Sequence, residues 1–312
     1  MTHGKNNNIL SKGEIINNTY EVLFFEGEGA FGEVFRVKHI ILKENFAIKV
    51  FKEKYTNEVD PKIVLQEGKI LMKLTHENVV RVFDVNTFKK NDVDYYFMVM
   101  NYVSGESLTK LINRKIQLDL PVATSIMIDV LKGLSVAHQN KLYAIVHRDI
   151  NSDNILLSYD DYKPFGILGD FGIATLVDQR KSLPGAGGRY LYFAPECFLD
   201  LCLPTSDVFS AGVVLYKILT GVHPWSYDFD GTTRDDMEGV KKAVNSSRKK
   251  SPIMPSIYNE NINKEFENVM MKSLEKKMDK RYPNADSFLR ALKNVCKTED
   301  PSGGYWQDQA LY

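Results

Sequence analysis

Apolar positions recur one residue in two at Tyr20, Val22 and Phe24, which predicts a strand with one buried face. It runs into Gly27-Glu28-Gly29-Ala30-Phe31-Gly32-Glu33-Val34, a glycine-spaced turn followed at once by a second β-like run to Val37, so the stretch reads as a hairpin. A third strand, Phe46 to Phe51, sets Ala47 and Lys49 on one face because side chains alternate. Asp60-Pro61 then supplies an N-cap and a first helical residue, and Ile63, Glu67, Ile70, Leu71 and Leu74 share one helical face. Two more strands, about Val79 to Phe88 and Tyr95 to Tyr102, flank the polar turn Lys89 to Asp94.

Beyond Val103-Ser104-Gly105 the period changes from strand-like to helical, which marks a lobe boundary. Leu118 to Asn140 reads as a long amphipathic helix, and Asp207 to Thr220 is apolar nearly all round, as expected for a helix at the centre of a lobe. Further helices are expected at about Asp235 to Asn245, Asn263 to Met278 and Asn284 to Cys296, while glycine-rich Ile173 to Phe193 reads as a long irregular loop. The predicted organisation is α+β and bilobal: a small antiparallel sheet with one helix over 19–103, and a larger, mainly helical lobe over 104–297. Polar ends, 1–18 and 298–312, are expected to be a mobile arm and a tail.

Composition narrows the picture by exclusion. Forty basic and forty acidic residues among 312 cancel, which removes the electrostatic footprint of a nucleic-acid binder. Hydrophobic and charged fractions of 44% and 26% are those of an ordinary globular protein. No apolar run approaches the ~20 residues that span a bilayer, so membrane insertion is not expected. Cys197, Cys202 and Cys296 lack metal-ligand spacing and read as reduced core thiols of a cytoplasmic protein. Arg248-Lys249-Lys250 reads as a solvated helix end.

Candidate chemistry lies on two loops. His147-Arg148-Asp149-Ile150-Asn151-Ser152-Asp153-Asn154 sets a carboxylate and a carboxamide five positions apart between two apolar runs. Ile167-Leu168-Gly169-Asp170-Phe171-Gly172 ends a strand in a second carboxylate before a glycine. Glu67 interrupts an apolar stripe and needs a buried partner, for which Lys49 is the candidate. The glycines at 27, 29 and 32 let backbone N–H groups approach phosphate oxygens, and the strand that follows them favours a lid over a nucleotide rather than a dinucleotide fold.

Taken together, and in this order over about residues 20 to 297, these motifs resemble the eukaryotic-type protein kinase superfamily. The resemblance implies ATP and Mg²⁺ and transfer of the γ-phosphoryl group to serine or threonine hydroxyls of protein substrates. It implies that Gly27, Gly29 and Gly32 cover the phosphates, that Lys49 holds the α- and β-phosphates with Glu67 fixing it, and that Asn154 and Asp170 hold the metal. Asp149 would accept the proton of the acceptor hydroxyl. Val34, Ala47 and Leu156 would sandwich the adenine, with Met100 as gatekeeper, Tyr102-Val103 as hinge and Glu106 at the ribose. Ala194-Pro195-Glu196 looks like the end of the activation segment, Asp207 like the family's buried acid and Arg281 like the partner of Glu196. Arg148 suggests regulation by a phosphate on that segment, with Thr175, Ser182, Tyr190 and Tyr192 as acceptors and Ser182 favoured, and with a homodimer for trans-autophosphorylation.

Three positions depart from the pattern. Asn101 replaces a hinge glutamate, Asn151 stands where serine/threonine kinases carry a lysine, and Arg189 stands where they carry the threonine that meets it. Arg189 is therefore expected to replace the missing cation, with Asn151→Lys plus Arg189→Thr restoring the ordinary arrangement. A pseudokinase that binds ATP as a scaffold is the competing reading. A small-molecule phosphotransferase is disfavoured by Ala194-Pro195-Glu196 and Arg281.

Overall fold

The alternating segments form strands β1 (Ile15–Ile16), β2 (Tyr20–Glu28), β3 (Gly32–His39), β4 (Asn45–Phe51), β5 (Val82–Lys90) and β6 (Val93–Asn101). The computed structural model describes residues 8–29, 32–53, 68–139, 144–171, 186–230, 232 and 236–299. Two compact units result. One holds the described residues up to Thr75 with Val80–Val103; the other holds His76–Val79 and the described residues from Ser104 onward.

In the first unit the strands make an antiparallel sheet in the order β1-β2-β3-β4-β6-β5. Val34 pairs with Lys49 and Lys49 with Met98, while Phe35 pairs with Ile48 and Ile48 with Val99. Paired residues share a face, so Phe35, Val37, Ile48, Val50, Phe97 and Val99 form one apolar side, and Val34, Ala47, Lys49, Met98 and Met100 fall on the other. Leu10 and Ile16 complete the apolar side at 2% and 3% exposure. This corrects the expected mobile arm: Ile9 and Leu10 pack against the sheet, and the chain joins it at Ile15. β1 pairs with β2, Gly13 N–H donates to Val22 O at 2.8 Å, and Lys90 Nζ binds Ile9 O at 2.7 Å and both Glu14 carboxylate oxygens. Ile9, Leu10 and Ile16 supply apolar area that the surrounding Asn and Lys residues conceal in the sequence. Residues 68–73 are helical; Asp60, Pro61, Ile63 and Glu67 lie outside the described residues.

In the second unit β7 (Gly105–Ser107), β8 (Ile155–Asp160) and β9 (Lys163–Leu168) form a small sheet beside helices α1 (Leu108–Lys115), α2 (Leu120–His138), α3 (Pro204–Thr220), α4 (Met237–Ser247), α5 (Lys264–Ser273) and α6 (Ala285–Glu299). α2 is long and apolar enough by composition to cross a membrane, yet Ile126, Met127, Val130, Leu131 and Leu134 are wholly buried where it packs on α3, α6 and β9. α3 is buried on nearly every side and ends at Gly221, whose φ of +77° suits a residue without a Cβ. Asn78 ties His76–Val79 to this unit: its Nδ2 donates to Gly166 O at 2.8 Å and its carbonyl accepts from Leu168 N–H at 2.9 Å.

Candidate active site

Asp207, in the first turn of α3 and 1% exposed, organises the loop that precedes β8. Its Oδ2 accepts from His138 Nε2 at 3.0 Å and from His147 N–H at 2.7 Å, and its Oδ1 accepts from Arg148 N–H at 2.9 Å. These bonds hold Arg148 at a φ of +67°, a conformation that costs a non-glycine residue free energy. His147 Nε2 donates to Gly169 O at 2.8 Å and its Nδ1 accepts from Asp149 N–H at 3.3 Å, which requires the neutral imidazole. Burial pushes its pKa down, in agreement.

Asp149 is thereby presented to three side-chain donors. Asn151 Nδ2 reaches its Oδ1 at 2.9 Å, Asn154 Nδ2 reaches its Oδ2 at 2.7 Å, and Arg189 Nη2 binds the same Oδ2. Asn154 Nδ2 also donates to Asp149 O at 2.8 Å, so both amide protons are committed and the carboxamide oxygen is the atom left to face a cation. Asp170 follows β9 with a φ of +55°, and the Phe171 ring packs 4.5 Å from His147.

A second arginine–carboxylate pair fixes the segment after Arg189. Arg281 Nη1 and Nη2 grip Glu196 at 2.6 and 2.9 Å, and Ser206 Oγ donates to Glu196 Oε1 at 2.7 Å. Burial alone would raise the Glu196 carboxyl; Arg281 and Ser206 outweigh it and hold the group below its ordinary range. Between the two pairs, Arg248 is only 4% exposed and donates to the carbonyls of Tyr190 (3.2 Å), Leu191 (2.7 Å) and Phe193, with the rings of Phe209 and Trp225 against its guanidinium.

The chain matches the protein kinase domain family over residues 20–292. It belongs to that family. A probable serine/threonine-protein kinase of Clostridium perfringens is 32% identical over 297 residues, 93% of this chain and 40% of that protein. The serine/threonine-protein kinase PrkC of Bacillus subtilis is 29% identical over 287 residues, 91% of this chain and 41% of that protein. The chain thus spans about two fifths of the length of these curated relatives. The kinase domain of Mycobacterium tuberculosis PknI shares the fold, with a TM-score of 0.66 at 21% identity over 91% of this chain and 99% of that one.

Within this kinase domain the second unit gathers Asp149, Asn154 and Arg189, with Asp170 one residue beyond Gly169, which bonds both His147 and Asn154. In the first unit Lys49 is 2% exposed in β4, paired with Val34 and Met98, and Ala47 is paired with Met100. Gly27 and Gly29 have open space where a Cβ would stand, apart from Gly32 O at 3.8 Å from the latter, so their backbone is accessible to a phosphate. Gly32 serves a different end: a Cβ there would overlap the Val50 carbonyl, so this glycine is required by the approach of β3 to β4. Tyr102 and Val103 are half-buried, as is Leu156 in β8. Glu106 already has both oxygens bound by Arg114 at 3.0 and 2.8 Å, with Tyr159 Oη on Oε1. Arg114 holds its pKa down, and a ribose hydroxyl would share those oxygens. Gly172, Thr175 and Ser182 lie outside the described residues.

Three expectations change. Tyr190 and Tyr192 are 5% and 6% exposed, and Tyr192 Oη bonds Ser152 and Lys217, so both tyrosines are packing residues here rather than exposed phosphate acceptors. Arg248 is no solvated end. It continues the stripe Val240, Val244, Arg248 at a spacing of four, which was the signal available. Asn151, expected only as a departure, is 2% exposed; its Oδ1 accepts from Asp153 N–H at 2.8 Å while its Nδ2 serves Asp149, so it braces the loop.

Proposed function

We propose that this chain transfers the γ-phosphoryl group of ATP to serine and threonine hydroxyls of protein substrates. The observation that carries the reading is the Asp149 carboxylate, held by Asn151, Asn154 and Arg189 in a loop whose backbone is fixed by buried Asp207. Such a carboxylate is placed to orient a hydroxyl and accept its proton. Asn154 and Asp170 fit Mg²⁺: they offer few, hard oxygen donors, which is how this ion is held when phosphates complete its shell. Among the described residues no cluster of three or more His, Cys, Asp or Glu side chains forms a denser metal site. Bound Mg²⁺ would neutralise phosphate charge; Lys49 is assigned to the α- and β-phosphates, and the open flanks of Gly27 and Gly29 to covering them.

Arg189 supplies the cation that Asn151 does not. Its contact with Asp149 Oδ2 sets a guanidinium beside the group that orients the acceptor, in keeping with catalysis by positioning and charge. Arg148 supports regulation by phosphate, because its Nε and Nη1 are buried and have no hydrogen-bond partner among the described residues. Trans-autophosphorylation in a homodimer would supply that phosphate, and three free cysteines support a reducing, cytoplasmic setting. Incubation with labelled ATP and Mg²⁺, wild type against Asp149→Asn, tests the reading. Label on serine or threonine in the wild type alone supports it; equal label in both proteins, or none in either, refutes it.

A further inference from the structure

Cys197 and Cys202 are not the core cysteines that their sparse spacing suggested. Both are partly exposed, and their Sγ atoms stand 2.6 Å apart, about 0.6 Å more than bonded sulfurs. Cys197 lies in the 3-10 turn Pro195–Leu199, directly after Glu196, and Cys202 lies two residues before α3. The chain reverses between them at Asp200, which has a φ of +59°, and Leu201 N–H donates to Glu196 O at 3.2 Å. Both ends of the reversal are anchored: Glu196 by Arg281 and Ser206, and Leu203 by its N–H bond to Ser206 Oγ at 3.1 Å. Leu199 is 82% exposed and Leu201 46%, so the turn stands in solvent where a small oxidant reaches it. Cys296 is buried in α6 and takes no part.

We propose that Cys197 and Cys202 form a peroxide-responsive dithiol, a modification site that closes to a disulfide and ties the segment after Glu196 to the start of α3. In the first step the Cys202 thiolate attacks the O–O bond of hydrogen peroxide. An S–O bond forms, the O–O bond breaks, and hydroxide leaves and takes up a proton as water, giving a sulfenic acid. In the second step the Cys197 sulfur attacks Cys202 Sγ; the S–S bond forms, the S–O bond breaks, and the proton of Cys197 leaves with the oxygen as a second water. The two thiols lose two electrons and two protons in all, and one peroxide gains them. Contact with Cys202 and burial both push the Cys197 thiol up, which suits it to the second, resolving step. A chemical reductant such as dithiothreitol reverses the bond.

The inference does not rest on the kinase reading, and its test reads no phosphoryl transfer. The full chain is treated with a few equivalents of hydrogen peroxide, denatured, alkylated, digested without reductant and analysed by mass spectrometry. The expected result is loss of two of the three alkylatable thiols, with an intramolecular Cys197–Cys202 link, and their full return with dithiothreitol. In Cys197→Ser, the lone Cys202 is expected to advance to sulfinic acid, which dithiothreitol does not reverse. Three alkylatable thiols after peroxide overturn the proposal, and so does irreversible oxidation of wild-type Cys202 at the rate seen in Cys197→Ser.

Discussion

Arg281 grips Glu196 with two nitrogens and has no side-chain surface in solvent, whereas Arg189 meets Asp149 through Nη2 and leaves 24% of its side chain exposed. The first pair is satisfied on every side: Ser206 takes a further position on Glu196, and Arg281 spends its remaining donors on the carbonyls of Glu275, Lys276 and Thr205. The second shares its carboxylate with two asparagines and leaves part of the arginine side chain in solvent. A sealed ion pair cannot exchange partners without exposing a buried charge, so it holds a segment in place. An open one gives up a contact at small cost, which is what a group acting on substrate requires.

The comparison breaks most visibly at Glu196. Glu196→Ala leaves the Arg281 charge buried and unpaired, and urea denaturation is expected to show a loss of about 3–5 kcal/mol; a loss below ~1 kcal/mol would mean that the pair is not structural. Arg248 extends the comparison to a buried cation that binds carbonyls and aromatic faces. Arg248→Met keeps the volume but strands the Leu191 and Phe193 carbonyls, Tyr190 O keeping its bond from Phe193 N–H, and the expected destabilisation is on the order of 1–3 kcal/mol. A neutral result there would show that water reaches those carbonyls.

The smallest expected effect is one of pH. Burial pushes His223 down to about 3, and it also lowers His147, so both stay neutral in the fold while the unfolded chain takes up protons below about 6.5. Stability therefore rises with pH through this range and falls as pH drops from about 6.5, His223 alone contributing about 1.4 kcal/mol of loss by pH 5.5. Glu196, held low by Arg281, contributes stability above the ordinary carboxylate range that is lost only in stronger acid. Denaturation midpoints at pH 7.5 and 5.5 should lie closer together in His223→Gln than in the wild type; an unchanged gap would assign the acid sensitivity elsewhere.

Much of this was legible because the residues concerned carry local patterns. Alternation predicted β2 to β4, an all-apolar period predicted α3, and the ordered motifs pointed to Asp149, Asn154 and Asp170. The misses share a physical cause: a side chain's partner lies far along the chain. Leu10 is buried by strands that follow it, Arg248 by carbonyls more than fifty residues earlier, and Tyr192 by Ser152 and Lys217. Asn151 was legible as a departure but not as a brace, since only the folded loop turns its oxygen onto Asp153.

The central claim is that Arg189 acts on the reaction and not on the fold. Steady-state kinetics and denaturation of Arg189→Ala, measured on the same preparation, test it directly. The account predicts a fall in kcat of about a hundredfold or more, ATP affinity changed by only a few-fold, and a stability change below ~1 kcal/mol, since the contact is partly open and acts mainly in the transition state. A kcat within a few-fold of wild type would contradict it, as would a loss of activity matched by an equal loss of stability.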